Sequence, residues 1–345
     1  MTDLEQVAAS HGFTAVKSEP VSEVEGVVHL MRHAASGARL MFIENDDANK
    51  AFSIAFKTPP ADDTGVFHIL EHSVLCGSEK FPVKEPFVNL LKTSMQTFLN
   101  AMTFPDKTMY PVASTNEQDL VNLMDVYLDA VFHPDIYRRP VIFQQEGWHR
   151  ELEGEGEDAR LVVNGVVYNE MKGALSDPNS VLYDELQAAL FPDTAYRFES
   201  GGTPRAIPDL TYEQFLEEHR RHYRLDNSYL TLYGDLDLDG MLAFLNERYL
   251  SPVADEQAAA TGIGAEGAQT SPGPAFGTSI TGPALKAPAK ARGAHRQGPR
   301  NAQRRSRRAK RRAHHSQTAP KGVPSDTQRS RPARQLRRQQ QRQRG

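Results

Sequence analysis

The chain has 345 residues, 39% hydrophobic and 24% charged, with 24 Gly, 22 Pro, one Cys and a formal net charge of -4. These proportions exclude the collagen-like and disulfide-stapled classes, and no run approaching 18 apolar residues is present to cross a membrane. A lone Cys76 and an acidic start (Met1-Thr-Asp-Leu-Glu-Gln6) without an apolar signal segment predict a reducing compartment, the cytoplasm.

Three short β-prone runs come first, at 27–31, 39–43 and 51–56. In the third, Phe52, Ile54 and Phe56 alternate with Ser53 and Ala55, which gives one apolar face. A helix is predicted over 64–75, ended by Gly77, then a second helix over 86–100 and extended chain over 101–113. Leu120, Leu123, Met124, Tyr127, Leu128 and Val131 form one stripe on a helix over 116–132, and a further helix is predicted over 137–152. Residues 161–168 lead into a helix that carries Asn169, Glu170, Met171 and Lys172. Thr211 and Gln214 have the spacing of a capping box before a helix to Tyr223. A strand at 229–233 and a helix at 238–249 close the pattern. Strands clustered among long, often paired helices predict an α+β fold, a mostly antiparallel sheet packed with helices, rather than a doubly wound parallel sheet.

Composition changes just after Pro252. Phe276 is the only aromatic residue beyond it, and residues 251–345 hold 20 of the 40 Lys and Arg but 4 of the 44 Asp and Glu. Their net charge is +16, which leaves residues 1–250 at -20. Two parts are therefore expected: a folded body over 1–254 and a low-complexity basic tail over 255–345. The tail is too poor in apolar residues to offset its ordering entropy and is expected to be disordered.

The chemistry-bearing residues are His68-Ile-Leu-Glu-His72. On a helix, positions i and i+4 lie about 40° apart, so both imidazoles leave one face and two neutral nitrogens can reach one Zn²⁺ at about 2.0–2.1 Å. Glu71, beside the second histidine, can approach a bound water and exchange protons with it. This is the inverted order of the zinc-protease motif. Two histidines also suit a half-buried polar stripe on an amphipathic helix. A catalytic site needs a third protein ligand; Glu170 is the best candidate, although spacing alone does not select it among the many carboxylates. Trp148 and Tyr127 read as core and Cys76 as a small buried hydrophobe; Gly201-Gly202 could bring backbone near a ligand, but reads first as a plain turn. His133, His149, His219 and His222 have no evident partners for a metal.

Several separate stretches, in order, resemble the amino-terminal catalytic domain of the insulinase/pitrilysin superfamily, most of all its presequence-protease branch. They are Gly65-Val-Phe-His-Ile-Leu-Glu-His-Ser-Val-Leu-Cys-Gly-Ser78, Lys84-Glu-Pro-Phe87, Phe98-Leu-Asn-Ala-Met-Thr-Phe104 and Tyr110-Pro-Val-Ala-Ser114. Tyr127-Leu-Asp-Ala-Val-Phe132, Gln144-Gln-Glu-Gly-Trp148, Gly165-Val-Val-Tyr-Asn-Glu-Met-Lys-Gly173 and Ser200-Gly-Gly-Thr-Pro204 complete the set. The resemblance implies that His68, His72 and Glu170 bind Zn²⁺, that Glu71 is the general base, and that Asn100 and Ala101 fall on a strand to which an extended peptide adds by backbone pairing. An ordinary edge strand is the alternative for these two. The implied activity is a zinc metalloendopeptidase acting on short unstructured peptides, with no membrane partner. The resembling text ends near residue 254, whereas the family's enzymes are much longer, so a missing carboxyl-terminal half is an implied partner. Against it stand a non-catalytic structural or regulatory homologue and a nucleic-acid-binding protein acting through the tail, if that tail is genuine. The abrupt change of composition favours an out-of-frame reading of a longer gene instead.

Overall fold

Apolar alternation builds the strands, and their pairing builds the sheet. The computed structural model describes residues 3–83 and 86–261. The chain opens with α1 (Asp3–Ser10), β1 (Phe13–Val21), β2 (Gly26–His33), β3 (Arg39–Glu44) and β4 (Lys50–Lys57). It continues through α2 (Val66–Val74), α3 (Pro86–Thr93), β5 (Gln96–Leu99), β6 (Met102–Thr103), β7 (Lys107–Ser114) and α4 (Glu117–Phe132). Then come α5 (Val141–Glu146), β8 (His149–Glu153), β9 (Arg160–Asn164), α6 (Val166–Ala174) and α7 (Pro178–Leu190). The described part ends with α8 (Tyr212–His222), β10 (Ser228–Tyr233), α9 (Leu238–Leu245) and α10 (Ser251–Thr261).

Eight strands form one sheet in the order β1-β2-β3-β10-β4-β7-β5, with β6 also pairing β7. Every pairing is antiparallel except β10 on β3, so the last strand enters the middle of the sheet. Register aligns the buried positions into rows across it. Leu40, Leu230, Ile54 and Tyr110 make one row, and Phe42, Leu232, Phe52 and Val112 the next. These residues are 2% exposed or less. They join one core with Ile69 and Leu70 of α2, Leu120, Leu123 and Tyr127 of α4, Phe215 of α8 and Leu242 of α9. Each such side chain contributes about 2 kcal/mol by leaving water. The architecture is the expected α+β one. Among the described residues, no helix is long and apolar enough to cross a membrane.

The predicted helix over 116–132 is present, with Asn116 capping it by accepting from the Asp119 N–H. The capping box at Thr211 and Gln214 is present in both directions. Other expectations need correction. The helix predicted over 86–100 stops at Thr93; the Ser94 hydroxyl accepts from the Gln96 N–H, and the chain turns out to pair as β5 with β7. The extended stretch at 101–113 is two strands separated by a turn. The helix predicted over 137–152 is confined to 141–146. It follows Pro140, and at Gly147 a Cβ would lie 2.9 Å from the Phe143 carbonyl oxygen. His149 then pairs with Asn164 in the separate β8–β9 ribbon. Two elements at the start, α1 and β1, were not anticipated.

Helix α7 was not anticipated either. Pro178 looks like a breaker but occupies the first turn, with Asp177 as N-cap. The helix is inverted: Ser180, Asp184, Gln187 and Ala188 are its half-buried positions, whereas Val181, Leu182, Tyr183, Leu186 and Leu190 are exposed. The helix predicted over 238–249 changes at Asn246 into a π-helical turn, Asn246–Leu250. There the Asn246 carboxamide oxygen accepts from His33 Nε2 at 3.0 Å and from the Ser251 hydroxyl at 2.7 Å. The boundary expected at 254/255 falls inside α10. Val253 is buried, Glu256 meets His133 Nε2 at 3.1 Å, and Gln257 bonds the backbone at Tyr223 and Leu225. Helix-favouring Ala254, Ala258, Ala259 and Ala260 and these anchors carry the order past the expected end. The rest of the predicted tail, 262–345, lies outside the described residues.

Candidate metal centre

Helix α2 is one-sidedly greasy: Ile69, Leu70 and Val74 are fully buried, while His68 and His72 are half-buried. That burial fixes which way the helix is turned, and therefore where the two imidazoles point. Their ring centroids are 4.9 Å apart at an interplanar angle of 83°. Helix α6 supplies the third group. It is seated by Val167 and Met171, and at Gly165 a Cβ would lie 2.2 Å from the Gly147 carbonyl oxygen.

Glu170 Oε2 lies 3.7 Å from His68 Nε2 and 3.7 Å from His72 Nε2. One ligand atom from each of these residues falls within 4.8 Å of the others. Donors held about 2.0–2.1 Å from one tetrahedral ion are separated by roughly 3.3–3.5 Å, so the two separations from Glu170 are within a few tenths of an ångström of that arrangement. The three residues named from the sequence therefore come together, and Glu71, 7% exposed, stands beside them.

Both imidazoles are oriented from behind. His68 Nδ1 donates to the Gly201 carbonyl oxygen at 3.2 Å, which leaves Nε2 as the lone-pair nitrogen facing Glu170. His72 Nδ1 faces Glu146 Oε2 at 3.5 Å. Burial alone pulls the His72 pKa down, but its bond to Glu146 and the charges of Glu71, Glu146 and Glu170 outweigh that and hold it above the ordinary value. Glu146 is buried too, which works against its charge, yet its contacts with His72 and Cys76 bring its carboxyl below the usual range. Three carboxylates thus favour a positive charge at this spot, whether a proton or a metal cation. Such outer contacts fix tautomer and ring orientation in metal sites.

Asn100 and Ala101 are not within a strand. They form the break between β5 and β6 and line an open cleft of about 410 Å³ with His68, Glu71, His72, Thr103 and Glu170. The Asn100 N–H donates to the Pro111 carbonyl at 3.2 Å, and the Tyr127 hydroxyl donates to the Asn100 carbonyl at 3.3 Å. The cleft therefore runs along the free rim of the sheet. Tyr127 is fully buried and Trp148 half-buried, its N–H bonded to the Leu210 carbonyl. Cys76 is half-buried, with its thiol against the His72 carbonyl oxygen rather than among the ligand atoms. Burial, with the nearby Glu71 charge adding to it, raises Tyr110, Tyr127 and Tyr223, so these phenols stay protonated at neutral pH.

Sequence reasoning did not find Glu146, Thr103 or the role of Gly201. The Gly201-Gly202 pair was the available signal. Its turn is real, with Gly202 at φ +88°, but it also packs backbone to backbone on Gly65, where a Cβ would lie 2.5 Å from the Gly201 oxygen.

Residues 59–189 match the family model described as Insulinase (Peptidase family M16). Over 239 residues the chain is 55% identical to Protein HypA of Clostridium perfringens, covering 69% of this chain and 24% of that protein. The chain belongs to the insulinase superfamily. Within it, presequence protease 1 of Arabidopsis thaliana (chloroplastic/mitochondrial) is 52% identical over 236 residues, 68% of this chain and 22% of the relative, which puts this member in the presequence-protease-like branch. The crystal structure of pitrilysin shares the insulinase-type fold at a TM-score of 0.53 and 16% identity, over 70% of this chain and 24% of that one. This insulinase-family chain thus spans about a quarter of the length of the relatives it matches.

Proposed function

We propose that the body of this chain is the catalytic domain of a zinc-dependent endopeptidase that cleaves short, unstructured peptides. The observation that carries this reading is the convergence of His68, His72 and Glu170 from two distant helices, with Glu71 alongside. Two imidazole nitrogens and one carboxylate oxygen, with both rings braced from behind, form a donor set suited to zinc. Zinc held there would supply a bound water with a pKa lowered to about 7 and would polarise a carbonyl oxygen.

The chain's own residues account for the remaining work. A peptide backbone laid along Asn100 and Ala101 would continue the sheet at its rim, with main-chain bonds supplying affinity and little demand on side-chain identity. The Glu71 carboxylate would take the water's proton and return it to the departing amine. Gly201 and Glu146 keep the rings in one tautomer. The matched stretch is 69% of this chain but 24% of the Clostridium perfringens relative, and we propose that further substrate contacts come from the additional portion that such relatives carry.

The test is Glu71→Gln on the full chain. It is expected to retain zinc at parental stoichiometry while cleavage of a quenched peptide falls by about 10²–10⁴-fold. Chelation of the parental protein should silence it, and added Zn²⁺ should restore it. A zinc-loaded parental chain without cleavage would favour the non-catalytic homologue instead.

A further inference from the structure

Thr103 occupies β6, the two-residue strand at the rim of the sheet, and pairs there with Thr108 of β7. Its hydroxyl donates to Glu71 Oε2 at 2.7 Å and lies 3.4 Å from the Phe67 carbonyl oxygen. A hydroxyl has one proton to give, and the shorter contact, to a charged acceptor, takes it. Among the described residues this hydroxyl is the group hydrogen-bonded to Glu71. The terminal torsion of a glutamate is broad and two-fold, so a carboxylate without such a tie swings through a range of orientations. A base must present its oxygen within hydrogen-bond reach of the proton it removes.

We propose that Thr103 is a positioning residue for Glu71: it ties down Oε2, leaves Oε1 to accept the proton, and couples the base to the strand edge on which the substrate backbone would lie. The inference rests on the peptidase reading above. Its consequence is that one segment of the rim, 100–103, bears on both reacting partners. The register of the peptide against the rim and the direction of the carboxylate cannot drift independently, because Thr103 belongs to both.

The test compares Thr103→Val, which keeps the shape and removes the donor, with Thr103→Ser, which keeps the donor. Full-chain proteins are loaded with Zn²⁺ and assayed on a quenched peptide. Thr103→Val should keep parental zinc stoichiometry and KM while kcat falls by about 10–100-fold, the scale of a misplaced catalytic group. Thr103→Ser should stay within about three-fold of the parent. In a Glu71→Gln background, Thr103→Val should cause no further loss, because it acts through the carboxylate. A readout without activity is urea unfolding of the metal-free proteins, in which Thr103→Val should lower the midpoint and Thr103→Ser should restore it. Parental kcat in Thr103→Val, a change confined to KM, loss of zinc, or a further fall in the Glu71→Gln background would each overturn the proposal. A parent that binds zinc and does not cleave sinks the peptidase reading together with this inference, whereas an active parent matched by Thr103→Val sinks the inference alone.

Discussion

His219 shows how much of this molecule is settled one side chain at a time. It is fully buried on α8, where its Nε2 donates to the Val131 carbonyl at 3.0 Å and its Nδ1 accepts from the Tyr137 hydroxyl at 2.8 Å. Both bonds are made by the neutral ring. Burial pulls its pKa down to about 4, and the charges of Arg220 and His133 add to that against the smaller opposing effect of the Val131 carbonyl. In the unfolded chain the ring binds a proton near pH 6.5, so between about 6.5 and 4 the unfolded state holds more protons than the native one. His219 therefore favours folding fully above 6.5, and that contribution falls away as the pH drops towards 4. The loss is on the order of 3 kcal/mol. The stability gap between the parent and His219→Gln, measured by urea unfolding, should narrow over this window and stay constant between pH 7 and 8.

At this scale the chemistry was only partly legible in the sequence. His68, Glu71 and His72 sit within five residues, and helical periodicity by itself brings them to one face. Glu170 could be nominated but not selected, because its approach depends on how α6 packs. Glu146, Gly201 and Thr103 reach the centre from three further segments. No local pattern encodes contacts of that kind, and Gly201 acts through a backbone carbonyl that every residue has.

Among the elements, α2 is the one whose seating decides the centre. Its start approaches the 201–202 turn so closely that a Cβ on Gly202 would lie 2.8 Å from the Gly65 Cα. Gly202 also has φ +88°, in the left-handed region that side chains resist. Gly202→Ala should therefore destabilise the body by about 2–4 kcal/mol. It should also weaken zinc binding by about 10-fold or more, since the neighbouring Gly201 carbonyl orients His68. Calorimetry and zinc titration check the two halves of this expectation. Elements with a strong internal period, such as α4 and β4, were readable in the sequence. Those decided by partners were not: β5 and β8 are strands because β7 and β9 pair with them, and the helices predicted over 86–100 and 137–152 ran on into both. Helix α7 escaped for the opposite reason, since its apolar stripe marks the outward side.

For the whole molecule, the instructive disagreement is where the body ends. Composition places the change near 254, because Ala and Gln look alike in a helix and in a tail. Contacts place it later, since His133, Tyr223 and Leu225 all engage residues beyond that point. A chain ended after Ala254 loses these bonds, and one ended after Thr261 keeps them. The shorter form should unfold at a lower urea midpoint by the equivalent of about 1–3 kcal/mol, with little change in slope.

The position of β10 bears on how this protein is made. Its partners β3 and β4 are complete by Lys57, yet in the finished sheet they do not pair with each other, because residues 228–233 lie between them. At a synthesis rate of about 5–20 residues per second, the ribosome needs on the order of ten seconds or more to supply that wedge. A nascent chain that held β3 and β4 in their final places would display two unpaired β edges throughout that interval. Chaperone capture during translation, rather than spontaneous refolding of the finished polypeptide, would be the natural protection for so late a keystone.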